Sequence, residues 1–241
     1  ARSRHHRLFL AGYLGVGMAY VADGVVRLVA RGGSDRLFQP SLVLLAVPLV
    51  LSFFVLVGMR ILFTMPAELG ANWIFQLAES EDRRPYLAAV RKAVLAVGVA
   101  PLVALLFLIY GLLWGWPLAL KHALYCLLLA WLLMEGLLLR FPKIPFTCSY
   151  LPGKANLKVM WPLYWIGFSA YAYTTPALDA WLLGAPGRFI VFVFTAVVGL
   201  AAVILYRRHL ARRGFEFMYE DEPDPVVRTL ELRDWPAVAA R

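Results

Sequence analysis

The stretch SLVLLAVPLVLSFFVLVGMRILF, Ser41 to Phe63, is apolar almost throughout and carries a single charge, Arg60, near its end. A helix needs about 20 apolar residues to cross the hydrocarbon core of a bilayer, which is about 30 Å thick. The stretch is long enough for one crossing. It lacks the period-two alternation of a half-buried strand, and lipid tolerates only helices or closed barrels. We therefore interpret it as a transmembrane helix.

Five further apolar runs accompany this stretch, so the predicted fold is all-α, a polytopic membrane protein with six transmembrane helices. The composition agrees, because only 16% of the 241 residues are charged, against about a quarter in soluble domains. The fifth run is the shortest, with seventeen residues, although Ala177 to Leu183 could extend it. The predicted spans are Leu8 to Ala30, Ser41 to Phe63, Ala93 to Trp116, Pro117 to Leu139, Val159 to Thr175 and Arg188 to Tyr206.

The distribution of Lys and Arg predicts the orientation of these spans. Most of the 24 basic residues fall on one side of the membrane if the N-terminus is placed inside, and basic residues are retained on the cytoplasmic side. Both termini are therefore predicted to be cytoplasmic, in a bacterial cytoplasmic membrane. This sidedness and attraction to anionic headgroups explain the net charge of +9, so nucleic acid is not an expected partner.

The connection between spans two and three contains an amphipathic segment, predicted to be helical near residues 66–79. Leu69, Trp73 and Leu77 recur every four residues, and Ile74 joins their face. Such a helix can lie at the inner membrane surface with its tryptophan at headgroup level. Two interpretations remain open, a surface anchor without a partner and a lever that receives force from a motor subunit.

In layout the chain resembles the permease subunit of ABC exporters of the six-span class. Six spans, two cytoplasmic termini and a cytoplasmic amphipathic helix between spans two and three are the shared features. The resemblance implies that two six-span units enclose a substrate path, in a homodimer or a larger membrane complex. It also implies a coupling helix that contacts a separate cytoplasmic ATPase, with the coupling residues Leu69, Trp73, Ile74 and Leu77. The chain departs from this pattern at residues 174–187, where the family has a re-entrant hydrophobic segment.

Charged residues within the predicted spans are further candidates for a site, because charge in lipid is costly and is rarely retained without a use. Asp23 and Arg27 are four residues apart with the acid first, so they can pair on one helix face. Glu135 lies about one turn inside span four, within reach of partners such as Arg60 or Arg140. Two interpretations remain open for these intramembrane polar groups: a structural pair or end anchor, and a proton or substrate site.

Span one carries a row of small residues, Ala11, Gly15 and Ala19, at intervals of four. Small residues let two helices approach closely in lipid. The row is equally consistent with packing inside the chain and with dimerisation.

No motif for catalysis or for a cofactor emerges from the sequence. The four histidines do not form a cluster with metal-ligand spacing, and no two of them are placed to face each other across a haem. The pair Gly153-Lys154 lacks the first glycine and the hydroxyl of a phosphate-binding loop. We expect no enzyme activity, no cofactor and no metal.

These observations divide the chain into a six-helix domain, residues 1–213, and a cytoplasmic tail, residues 214–241. The tail has two alternating runs around EDEPDP, which fit either a β-hairpin or a disordered acidic tail. The predicted function is an ABC-type exporter permease driven by a separate ATPase. An accessory or scaffold subunit of a membrane complex and a proton-coupled carrier using Asp23 or Glu135 are the alternatives.

Overall fold

The computed structural model describes residues 4–63, 84–139 and 157–212, and the regular elements in these ranges are all helical. A 3-10 helix, Ser34–Phe38, follows the first helix, and a π-helical segment, Val94–Val99, joins the third to the fourth. The α-helices are α1 (Arg4–Gly32), α2 (Leu42–Leu62), α3 (Arg84–Ala93), α4 (Ala100–Trp114), α5 (Trp116–Leu137), α6 (Leu157–Leu183) and α7 (Pro186–Arg212). The predicted all-α class is confirmed for the described part of the chain.

Five helical stretches among the described residues are long and apolar enough to cross a membrane, which indicates an integral membrane protein. They correspond to predicted spans one to four and six. The stretches are His6–Gly32, Leu42–Leu62, Ala88–Trp114, Trp116–Leu137 and Pro186–His209. A sixth span and the orientation of the termini remain predictions.

The fifth predicted span, which ended at Thr175, lies within a longer helix. α6 continues to Leu183 although it contains Pro162 and Pro176. The connection to α7 is therefore much shorter than residues 174–187, because most of that segment is helical. Proline is tolerated in transmembrane helices where neighbouring groups satisfy the freed carbonyl.

The core of the bundle is built around α2, which packs against α1, α4, α5 and α6. Leu49, Val50 and Leu56 of this helix are essentially inaccessible. An α-helix that is apolar on all sides suits a position enclosed by other helices. α5 is the second hub, since it contacts α2, α4, α6 and α7.

α1 lies at the edge of the bundle, packs mainly on α2 and leaves most of its surface exposed. The row Ala11, Gly15 and Ala19 lies on the exposed side. The row is therefore not used for packing against α2. Gly17 makes that contact instead, because it is buried against the ring of Phe54. Dimerisation through the exposed row remains a prediction.

Several predicted features lie outside the described residues. They are the amphipathic segment 66–79 with Leu69, Trp73, Ile74 and Leu77, the position Arg140, and the tail 214–241. The predictions for these segments stay as predictions.

We expect the substitution Gly17→Leu to destabilise the contact between α1 and α2. A Cβ atom at Gly17 would lie 2.9 Å from Cδ2 of Phe54, and overpacking of this kind costs about 1–3 kcal/mol. Thermal unfolding in one detergent provides the measurement. The matched control is Gly15→Leu on the same helix, where an added Cβ meets nothing within 4 Å. Equal melting temperatures for the two variants would contradict the described contact.

Candidate functional site

Three charged side chains meet at the end of the bundle where α2 ends and α3 begins. Glu135 of α5 is buried, with only 3% of its side chain exposed. Nη1 of Arg207, on α7, donates hydrogen bonds to both oxygens of this carboxylate at 2.9 and 2.8 Å. Nε of Arg91, on α3, lies 3.4 Å from Oε2 of Glu135. We call this set, Arg91, Glu135 and Arg207, the Arg–Glu–Arg cluster.

The Arg–Glu–Arg cluster joins three helices, α3, α5 and α7, through direct side-chain contacts. Arg91 also donates through Nη2 to the carbonyl oxygen of Leu138 at 3.1 Å, so it is held at the end of α5 as well as by Glu135. Buried ions are costly unless they are paired, and removal of one partner leaves an uncompensated charge. The relative positions of α3, α5 and α7 at this end therefore depend on Glu135.

The prediction that Glu135 pairs with a cation is confirmed, but Arg60 was the wrong candidate partner. Arg60 does not pair with it, because Nη1 of Arg60 donates to Oη of Tyr164 on α6 at 2.8 Å. Arg140 lies outside the described residues. The sequence suggested that a membrane-buried acid needs a cation, but Arg91 and Arg207 were assigned to cytoplasmic connections. Both belong to helices that extend beyond the apolar runs.

The predicted pairing of Asp23 with Arg27 is confirmed. Nε of Arg27 lies 2.8 Å from Oδ2 of Asp23, and both side chains are mostly exposed on α1. The two residues border a groove of about 480 Å³ between α1, α2 and α6. The structure therefore does not bring this pair together with Glu135, and the four predicted intramembrane residues form three separate sites.

A second buried polar cluster lies at the opposite end of the bundle. Nδ1 of His122, on α5, is 2.5 Å from Oδ2 of Asp179, on α6, and the two side chains are 2% and 0% exposed. We call these two residues the His–Asp pair. The other carboxylate oxygen of Asp179 is buried and has no hydrogen-bond partner among the described residues.

Aromatic residues of α4 enclose the His–Asp pair. Tyr110 and Trp114 stack with ring centroids 4.2 Å apart and lie 5.5 and 6.0 Å from the ring of His122. The hydroxyl of Tyr110 donates to the carbonyl oxygen of Leu44 at 2.7 Å. The first turn of α2 and the last turn of α4 are thereby joined beside the pair.

The thiol of Cys126 gives the His–Asp pair the composition of a nucleophilic triad, but the geometry differs. Sγ lies 3.7 Å from Nε2 and 3.8 Å from Nδ1 of His122. Nearly equal distances to both ring nitrogens place the sulfur against the ring rather than in line with one nitrogen. A general base must accept the proton of the nucleophile along a hydrogen bond. The contact between His122 and Asp179 is suited to linking α5 and α6.

His122 lies near the start of predicted span four, but its partner was not predicted. Asp179 was assigned to the connection before span six. The sequence did contain a signal for this partner, because Asp179 is the only acid in the run from Val159 to Leu183. An acid and a histidine that both interrupt apolar runs are candidates for a buried pair.

Comparison of the chain with protein-family models, with curated proteins and with solved structures gave no match in any of the three.

We expect Glu135→Gln to lower the free energy of unfolding by about 3–5 kcal/mol, because Arg91 and Arg207 would lose the charge between them. The measurement is unfolding by a denaturing detergent in mixed micelles. Asp35→Asn provides the control, since Asp35 is an exposed acid in the 3-10 helix. A Glu135→Gln variant as stable as this control would contradict the role assigned to the Arg–Glu–Arg cluster.

We also expect energetic coupling between His122 and Asp179. In a double-mutant cycle with His122→Gln and Asp179→Asn, contacting residues typically give interaction energies of about 0.5–3 kcal/mol. The same unfolding measurement yields the four stabilities. Strict additivity of the two substitutions would contradict a direct bond between the side chains.

Proposed function

We propose that the chain crosses the membrane six times with both termini in the cytoplasm, and that it is the permease subunit of an ABC-type exporter. The sixth crossing would be α6, whose 27 residues extend about 40 Å at 1.5 Å per residue. Arg60, Arg91 and Arg207 lie at the end of the bundle where α1 begins. The positive-inside rule supports a cytoplasmic location for this end.

The observation that carries this proposal is the position of the Arg–Glu–Arg cluster. The predicted coupling segment, residues 66–79, is separated from α3 by only a few residues. A force on that segment would reach α3 first. Arg91 contacts Glu135 of α5, which also binds Arg207 of α7. A displacement of α3 would therefore be transmitted to two more helices through direct ion pairs.

The π-helical segment supports movement of α3 relative to α4. Val94–Val99 separates the two helices, and Pro101 follows it without an amide hydrogen to donate. Segments of this kind often mark functional positions and places where a helix bends. The same connection would allow α3 to tilt while α4 stays packed against α5.

The exposed face of α1 supports assembly with a further membrane subunit. Ala11, Gly15 and Ala19 leave a shallow strip on this face, and small residues favour helix contacts in lipid. A homodimer or a larger membrane complex would use such a strip, as the exporter proposal requires.

The second candidate is a non-catalytic accessory or scaffold subunit. The two buried polar clusters support this candidate. The Arg–Glu–Arg cluster joins helices at one end of the bundle and the His–Asp pair joins helices at the other, as expected in a rigid protein. A proton-coupled carrier is the third candidate. In that case Asp23 and Glu135 are the acids to be tested.

We expect the chain, gently extracted from its own membrane, to carry a stoichiometric nucleotide-binding ATPase in native mass spectrometry. Trp73→Ala should reduce recovery of that ATPase about tenfold or more, because a tryptophan at the centre of an interface typically contributes at least about 2 kcal/mol. The control is Trp131→Ala, which removes a partly exposed tryptophan of α5. Recovery of other membrane subunits without an ATPase would refute the exporter proposal and support the scaffold.

A further inference from the structure

An apolar groove of about 600 Å³ opens on the side of the bundle between α1, α2 and α6. Its volume falls within the range of about 300–1,000 Å³ that is usual for small-molecule sites. Its walls are largely aromatic. Seven aromatic residues of the described ranges line it: Phe9, Tyr13, Phe53, Phe54, Tyr164, Trp165 and Phe168. We call this feature the side groove.

The side groove lies toward one end of the bundle. Its lining residues come from the first half of α1, the second half of α2 and the first half of α6. It runs along α2 from Phe53 to Ile61. Seven residues separate Phe53 from Arg60, which corresponds to about 10 Å along a helix axis. The groove therefore extends from the level of Arg60 into the apolar part of the bundle.

The positively charged side chain of Arg60 lies next to the side groove. Nη1 of Arg60 donates to the hydroxyl of Tyr164, a lining residue, at 2.8 Å. Nε of Arg60 is inaccessible and has no hydrogen-bond partner among the described residues, and none of the ion pairs between described residues involves this guanidinium group. Arg4 and Arg7, at the start of α1, are exposed at the same end. This end of the groove is therefore electropositive.

The guanidinium group of Arg60 therefore lacks a counter-charge among the described residues, and an anionic ligand would supply one. The planar guanidinium group matches the geometry of phosphate oxygens and can bind two of them at once. The apolar walls next to it suit a hydrocarbon chain. These two features together match one class of molecule that a membrane supplies to a groove open on the side of a bundle, a phospholipid.

We propose that the side groove binds an anionic phospholipid, with an acyl chain along the aromatic walls and the phosphate at Arg60. The hydroxyl of Tyr164 holds the guanidinium group in place. In the orientation proposed above, Arg60 lies at the cytoplasmic leaflet, which is the leaflet that carries anionic lipids and attracts basic residues. The lipid site does not require an ATPase partner, so its test is independent of the exporter proposal.

The headgroup assignment is tested by reconstituting the purified chain in nanodiscs of equimolar dioleoylphosphatidylglycerol and dioleoylphosphatidylcholine. Native mass spectrometry then measures which lipid stays bound. We expect retention of one phosphatidylglycerol with at least about fivefold preference, and we expect Arg60→Gln to abolish the preference. The control Arg208→Gln removes an exposed cation of α7 and should preserve it. An unchanged preference in Arg60→Gln would overturn the headgroup assignment.

The acyl-chain assignment is tested by filling the side groove from α1. Gly12 lines the groove, and an added Cβ there meets nothing within 4 Å. Gly12→Leu should therefore fold normally and reduce retention of both lipids several-fold. Gly136→Leu, on α5 away from the groove and equally unobstructed, should retain lipid as the wild type does. Equal retention in the two variants, or a second protein chain in place of the lipid, would overturn the proposal.

Discussion

Hydrocarbon neither hydrogen-bonds a peptide group nor hydrates a charge, and the organisation of this chain depends on that constraint. Backbone N–H and C=O groups hydrogen-bond to one another within helices, so the described residues contain no other type of regular element. Charged side chains have to find partners on neighbouring helices. Glu135 finds two, Arg91 and Arg207. Its carboxylate thereby joins α3, α5 and α7 at this end of the bundle.

The two buried polar clusters have different consequences because they lie at opposite ends of the bundle. The His–Asp pair and the aromatic residues around it join α4, α5 and α6 where the connections are short, as at Gly115 and at Gly184-Ala185. The Arg–Glu–Arg cluster lies at the end where long segments enter and leave the bundle. A force applied through those segments therefore reaches the Arg–Glu–Arg cluster before it reaches the His–Asp pair. The side groove opens toward this same end.

The sequence predicted the helices better than it predicted the site. Ser41 to Phe63 was placed within about one residue of α2, because the length and apolar character of a run depend only on the sequence itself. The partner of Glu135 was missed because it depends on the rotation of each helix, which tertiary packing determines. Asp179 was missed for another reason. The fifth predicted span ended at Thr175, which left Asp179 in a connection, whereas α6 continues to Leu183.

The proposed function requires α3 to move when a cytoplasmic ATPase hydrolyses ATP, and a distance measurement tests this claim most directly. Spin labels at Leu8 of α1 and Ala89 of α3, both exposed, would be placed in a chain whose two cysteines, Cys126 and Cys148, are replaced. Double electron–electron resonance in native membrane vesicles, with and without ATP, gives the distance between them. The account predicts a shift of the distance distribution with ATP that Trp73→Ala abolishes. Identical distributions in both conditions would contradict it.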